Sequence, residues 1–193
     1  MNSTDTKKGN IEIAGKSLTK EQIIAGQKVL VPVVYISSFN NYKLEGGKII
    51  AGKDINLNID TLNNSGTIQA GENILLNATN SIENYSGTIK ADEDISLIAK
   101  NDIVNTSGNI KANNINLTSI DGDIENKRYN KKVSYGINGQ LDDKTLIGKE
   151  GDIIATNNIN ISTNKNFLNQ ASNLEAKDID IKAKKVDIGK GDR

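Results

Sequence analysis

Asn63-Asn64-Ser65-Gly66-Thr67-Ile68, Asn84-Tyr85-Ser86-Gly87-Thr88-Ile89 and Asn105-Thr106-Ser107-Gly108-Asn109-Ile110 are three versions of one hexapeptide. Their glycines stand 21 residues apart, and Asn recurs on the same step at 63, 84, 105 and 126. A fixed period of this size marks a chain built from stacked structural repeats. Within each repeat the apolar residues alternate: Ile68 with Ala70, Ile89 with Ala91, Ile110 with Ala112. A second alternating run follows at Ile74, Leu76 and Ala78, then Ile95, Leu97 and Ala99, then Ile115 and Leu117. Ile82, Ile103 and Ile124 carry a third short element. Period-two alternation sends one set of side chains to a core and the other to solvent. Three short strands in about 21 residues describe one coil of a solenoid, which can bury its apolar face only against neighbouring coils.

Length changes obey the same logic. Ala91 to Ile95 is four residues and Ala112 to Ile115 three; Leu97 to Ile103 is six and Leu117 to Ile124 seven. A slip inside a strand would turn its apolar set outward, so insertions belong at corners. The pattern extends upstream through Gly47-Lys48-Ile49-Ile50-Ala51 and Ile55-Asn56-Leu57, in a coil two residues short. Downstream it continues through Gly151-Asp152-Ile153-Ile154-Ala155, Ile159-Asn160-Ile161, then Leu174, Ala176, Ile179 and Ile181. There Asn169 keeps its place five residues before Leu174, and Ser172 replaces the glycine, so the turn does not depend on a left-handed glycine at that position. Six coils are expected from Gly47 to about Ile188; at about 4.8 Å per stacked strand they make a rod roughly 29 Å long.

One corner departs from the rule. Asn126 to Gly151 is 25 residues where equivalent corners need three, an excursion of 22 residues at 127–148. Asn138-Gly139 is a hairpin-turn signal with Val133-Ser134-Tyr135 before it and Leu141 after it. Loops on rigid scaffolds carry function, so Arg128, Tyr129, Tyr135 and Asn138 are the candidate partner-contact residues. A tolerated insertion without a role is the alternative.

Residues 1–42 read as a separate lead-in, and 43–193 as the repeat domain. Thr19-Lys20-Glu21-Gln22 is a capping-box pattern before Ile23-Ile24-Ala25, with Gly26 as a stop, which predicts a short helix over 19–26. Val29-Leu30-Val31-Pro32-Val33-Val34-Tyr35-Ile36 predicts a β segment over 29–36, confined by Pro32 to an edge or a bulge. This helix and strand are expected to cap the solenoid, whose open end would otherwise invite aggregation.

Composition agrees with many short strands and many turns. Hydrophobic residues make up 36% and aromatics 4%, so the core relies on aliphatic side chains rather than rings. Lys+Arg and Asp+Glu both number 24; without a basic excess or stripe, nucleic acid is not an expected partner. The basic cluster Lys127, Arg128, Lys131 and Lys132 is followed by Asp142 and Asp143 and reads as a solvated loop. With no Cys, disulfides and thiolate metal sites are excluded. No apolar run approaches the roughly 20 residues of a membrane span. The N-terminus Met1-Asn2-Ser3-Thr4-Asp5 is polar and lacks a signal-peptide core, so an exported version is expected to be part of a longer chain.

These residues resemble the haemagglutinin repeat of filamentous haemagglutinin-type exoproteins of two-partner secretion, a group that includes contact-dependent growth-inhibition proteins. The resemblance lies in Asn-x-x-Gly-x-Ile-x-Ala followed by Asn/Asp-Ile-x-Leu, at Asn84 to Leu97 and Asn105 to Leu117. Leu18-Thr19-Lys20-Glu21-Gln22-Ile23 followed by Val29 to Tyr35 is similar to the lead-in of such a block. The excursion at 127–148 departs from the pattern. The resemblance implies an all-β, right-handed parallel β-helix and export through an outer-membrane pore partner. It implies display on, or release from, a Gram-negative surface. It further implies adhesion to a receptor or glycan of host or neighbouring cells, or presentation of a toxin. Periodicity itself establishes only the solenoid.

The rival reading is a β-helix enzyme acting on polysaccharide, or a glycan-binding module. Glycoside hydrolysis needs two facing carboxylates. Outward acids exist at Asp92, Glu93, Asp94, Asp121 and Asp123. Asp94 and Asp102, however, occupy turn positions before Ile where Asn73 and Ser81 stand elsewhere, which argues for turn chemistry. There is no His for acid–base work and no Trp for a sugar platform. No catalytic residue and no cofactor are expected. No metal site is expected either: Asp121-Gly122-Asp123 is too isolated for a cation loop. The Asn row at 63, 84, 105, 126 and 169 reads as a hydrogen-bonded ladder rather than a recognition surface.

Overall fold

The computed structural model describes residues 12–13, 16–17, 19–24, 26–32, 46–137 and 140–190. The chain divides into two compact units, 1–44 and 45–193. Every regular element among the described residues is a β-strand.

The first unit holds two antiparallel pairs. Strand β1 (Glu12–Ile13) pairs with β2 (Lys16–Ser17), and β3 (Thr19–Ile24) pairs with β4 (Gln27–Pro32). The helix expected over 19–26 is therefore a strand. A helix of one or two turns has almost no stability of its own. The apolar segment beginning at Val29 instead offers Thr19–Ile24 a full ladder of backbone partners, from Thr19 opposite Pro32 to Ile24 opposite Gln27. Gly26, with φ of 80°, takes the left-handed position of the connecting turn. Pro32 closes the end of β4. Residues 33–36 of the expected β segment lie outside the described residues.

The second unit is a parallel β-solenoid of six coils. The first comprises β5 (Lys48–Ala51), β6 (Ile55–Ile59) and β7 (Leu62–Asn64). The second comprises β8 (Thr67–Ala70), β9 (Ile74–Ala78) and β10 (Ile82–Tyr85), and the third β11 (Thr88–Ala91), β12 (Asp94–Ala99) and β13 (Ile103–Thr106). In the fourth, β14 (Asn109–Ser119) runs unbroken through two faces before β15 (Ile124–Lys127). The excursion follows as β16 (Asn130–Ile137) and β17 (Gln140–Ile147). The fifth coil is β18 (Asp152–Thr163) and β19 (Asn166–Gln170), and the sixth β20 (Asn173–Glu175), β21 (Asp178–Lys182) and β22 (Lys185–Gly189).

Pairing between coils places like on like. On the first face Ile49, Ile68, Ile89, Ile110, Ile153 and Leu174 form one column. The second face has two columns, Ile55-Ile74-Ile95-Ile115-Ile159-Ile179 and Leu57-Leu76-Leu97-Leu117-Ile161-Ile181. The third has Leu62-Ile82-Ile103-Ile124-Phe167-Val186. In the middle coils these residues are essentially removed from water. Ile49, Ile179 and Val186, in the first and last coils, have a rung on one side only and are exposed. Extra residues sit at corners as expected. Where β18 is one residue longer than β14, the register shifts between Ala112 and Asn114, and both flanks stay in step.

Leu97 and Ile89 are both 0% exposed, so each side chain contributes its full burial. Leu97→Ala should lower unfolding free energy by about 2–5 kcal/mol, measured by denaturant titration. Ile89→Asp, which places a carboxylate in the column, should abolish the cooperative β-sheet circular dichroism transition.

Candidate functional site

The third-to-first corner of each coil is built on a buried asparagine. Asn64, Asn84, Asn105 and Asn126 are 8%, 1%, 1% and 0% exposed. The Nδ2 of each donates to the Oδ1 of the next: Asn64 to Asn84 at 2.7 Å, Asn84 to Asn105 at 2.8 Å, Asn105 to Asn126 at 2.8 Å, Asn126 to Asn169 at 2.9 Å. The second amide proton closes the corner, from Asn84 to the carbonyl of Gly87 and from Asn105 to that of Gly108, both at 3.1 Å. Each inner amide thus satisfies both donors and its acceptor, the condition under which a polar group can be buried without large cost. The ladder reading of the Asn row stands, with one correction: its first member is Asn64, not Asn63. The first corner is a residue shorter than the others, so the 21-residue step lands on Asn63 while strand pairing places Asn64 opposite Asn84. Asn63 points outward, opposite Glu83.

The ladder also explains the glycines. The left-handed residue of the corner is the one before the glycine, Ser86 (φ 54°) and Ser107 (φ 51°), or before the Ser172 that replaces it, Ala171 (φ 45°). Gly87 and Gly108 are required by space instead. A Cβ at Gly87 would collide with the amides of Asn84 and Asn64, and one at Gly108 with those of Asn105 and Asn84.

The excursion leaves and re-enters this lock without opening it. Asn126 Nδ2 still reaches the carbonyl of Gly151, at 3.2 Å across 25 residues. Between them β16 and β17 form the expected antiparallel hairpin, paired from Asn130 with Ile147 to Ile137 with Gln140. Asn138 lies outside the described residues, as does the side chain of Tyr135. Ser107 holds the hairpin stem. Its Oγ accepts from the backbone N–H of Tyr129 at 2.9 Å and donates to the carbonyl of Lys149 at 2.5 Å. Gly148 donates its N–H to the carbonyl of Tyr129 at 2.8 Å.

Of the four candidate contact residues, Arg128 and Tyr129 are placed at the stem, on the wall of the solenoid. Arg128 Nη2 pairs with Glu150 Oε1 at 3.0 Å. The ring of Tyr129 packs edge-on against Tyr85, with centroids 5.6 Å apart and planes at 80°. Tyr85, from the second coil, was not among the candidates, because only the folding-back of the stem brings it to Tyr129. Its phenol is held above the ordinary range by desolvation and by the neighbouring Tyr129 hydroxyl.

Asp94, Asp102 and Asp123 have structural partners. Asp94 accepts from Asn114 Nδ2 at 2.8 Å, Asp102 from the backbone N–H of Asp123 at 2.8 Å, and Asp123 from that of Asn166 at 2.8 Å. Among the described residues no three acidic side chains converge as a metal cluster would require. None of their helices is long and apolar enough to cross a membrane. No family model, no characterised protein and no solved structure matches the chain.

Two substitutions separate the ladder from the clamp. Asn105→Leu leaves one N–H of Asn84 Nδ2 and the Oδ1 of Asn126 buried and unpaired, and should cost about 2–5 kcal/mol by denaturant titration. Exposed Asn58→Ala should stay within about 0.5 kcal/mol. Ser107→Gly keeps the left-handed backbone and deletes the clamp. It should raise amide hydrogen exchange across 130–147 at least tenfold while leaving β12 and β14 protected.

Proposed function

We propose that this chain is a non-enzymatic structural and adhesive segment of a secreted bacterial exoprotein similar to the filamentous haemagglutinin type. In this reading the solenoid is a length of shaft, exported with its parent through an outer-membrane pore and held at a Gram-negative cell surface. The hairpin and its stem are the surface it offers to a host or neighbouring cell. The observation that carries the reading is the corner at Asn126 and Gly151. A 22-residue excursion is mounted there on an undisturbed stack of coils and clamped by Ser107. A stack with ladders on all three faces is a rigid support, because bending it would part backbone and side-chain bonds together. The repeat Asn-x-x-Gly-x-Ile-x-Ala and the lead-in from Leu18 to Tyr35 support the same reading.

Replacing Asn130–Ile147 by an Asn-Gly turn joins two stem residues that already share a hydrogen bond. The shortened chain should keep its β-sheet circular dichroism and melt within a few degrees of the parent. Its binding to epithelial cells and to neighbouring bacteria, measured by flow cytometry with labelled protein, should fall severalfold. Undiminished binding would remove the contact role from the hairpin, and absence of binding by the parent chain would overturn the adhesive reading.

A further inference from the structure

Several polar side chains on the outside of this solenoid are committed to one another. Asn77 donates to Asn58 at 3.0 Å, Asn101 to Asn80 at 2.6 Å and Asn160 to Asn116 at 2.9 Å. One patch of uncommitted polar groups lies beside an exposed aromatic ring. Asn63 and Glu83 are register neighbours on β7 and β10, both outward, and among the described residues neither side chain has a hydrogen bond or ion pair. Two residues along β10 stands Tyr85, 47% exposed. Asn63, Asn64, Ser65, Glu83 and Tyr85 together line a shallow cleft of about 80 Å³.

The tyrosine is held in place. Tyr129, fixed through its backbone N–H to Ser107 in the third coil, packs against Tyr85 at 80°. The cleft lies toward the first coil, so Tyr85 stands between a supporting ring and an open depression. A braced ring loses little conformational freedom when something stacks on it, which is how rigid aromatic groups gain affinity. Beside the ring are a carboxylate that only accepts, an amide that donates and accepts, and a hydroxyl that does both.

We propose that Tyr85, with Glu83, Asn63 and Ser65 beside it, forms a carbohydrate subsite that takes an uncharged or N-acetylated pyranose. The C–H face of the sugar stacks on the Tyr85 ring, and adjacent hydroxyls share the Glu83 carboxylate and the Asn63 amide. Glu83 has no cation paired with it, and the lysine across the wall, Lys127, is engaged by Glu125. A sialylated or sulfated sugar would therefore meet an unbalanced negative charge. A peptide strand is disfavoured for a different reason: β10 is already hydrogen-bonded on both edges, to β7 and β13, so no backbone edge is open for strand addition. The inference names a ligand class for the adhesive wall proposed above, and rests on that reading for its biological setting alone.

The test is saturation-transfer difference NMR on the whole chain with methyl galactoside and methyl N-acetylglucosaminide, followed by a glycan array holding neutral, sialylated and sulfated oligosaccharides. Saturation transfer to the sugar ring protons and preference for neutral glycans are expected. Tyr85→Ala should weaken binding at least tenfold, and Glu83→Gln severalfold, with the cooperative β-sheet transition retained because neither side chain belongs to the buried core. Exposed Asn160→Ala serves as the control that leaves binding intact. No transfer from either glycoside, binding undiminished in Tyr85→Ala, or preference for sialylated glycans would overturn the subsite. Cell binding without glycan binding would leave the adhesive reading standing and sink the subsite; glycan binding without cell binding would do the reverse.

Discussion

The constraint on which the structure depends is that every coil must sit directly over the last, residue on residue. Columns of Ile and Leu do not impose this alone, because an apolar side chain packs nearly as well against a neighbour one rung out of place. The asparagine ladder does. An amide buried at 0–1% exposure, as in Asn84, Asn105 and Asn126, must find its two donors and its acceptor at fixed points. A slipped coil would strand all three, at several kcal/mol per amide. The aliphatic columns therefore supply most of the driving force, and the ladder specifies the register. Glycine at 87 and 108 belongs to the same device, since any side chain there would occupy the space of the amides.

Much of this was legible in the spacing of residues. Recurrence of Ile89, Leu97 and Ile103 at 20- to 21-residue intervals leaves few alternatives to a stacked coil, and the Asn-Gly pair at 138–139 announces a hairpin whose strands pair as expected. The errors have physical sources. Asn63 was taken for a ladder member because a constant step ignores one residue lost at a corner, and only pairing of Leu62 with Ile82 reveals the shift. The left-handed positions belong to Ser86, Ser107 and Ala171, while Gly87 and Gly108 answer a crowding requirement that cannot be seen in sequence. Phe167 stands opposite Ile124 in the column of the third face and is fully buried there. At 19–26 a local capping pattern lost to strand pairing with the apolar segment that follows, a tertiary override of a weak local signal.

The candidate site was legible only in outline. Arg128 and Tyr129 were singled out because they open the excursion, but what they touch depends on where the stem returns to the wall. Tyr85 lies 44 residues before Tyr129, and no motif joins them. Ser107 was read as part of the repeat hexapeptide, in the same place as Ser65 and Ser86. Its second role, accepting from Tyr129 and donating to Lys149, exists because the next coil's corner is the one that is interrupted.

That interruption falls where the architecture can best bear it. At the other corners the chain itself holds one strand to the next, and a long insertion would free both ends. At the third-to-first corner the closure is made by a side chain: the asparagine reaches its glycine carbonyl whether the step is three residues, as at Asn84 and Asn105, or 25, as at Asn126. The entropic cost of the longer loop is then that of closure alone, about 2 kcal/mol for a roughly tenfold increase in length. The eight paired positions of the hairpin and the two bonds of the Ser107 clamp offset it locally, without drawing on the coil. The same amide that fixes register in the stack thus makes this corner the place where a surface element can be added, lengthened or exchanged while the shaft beneath it stays the same.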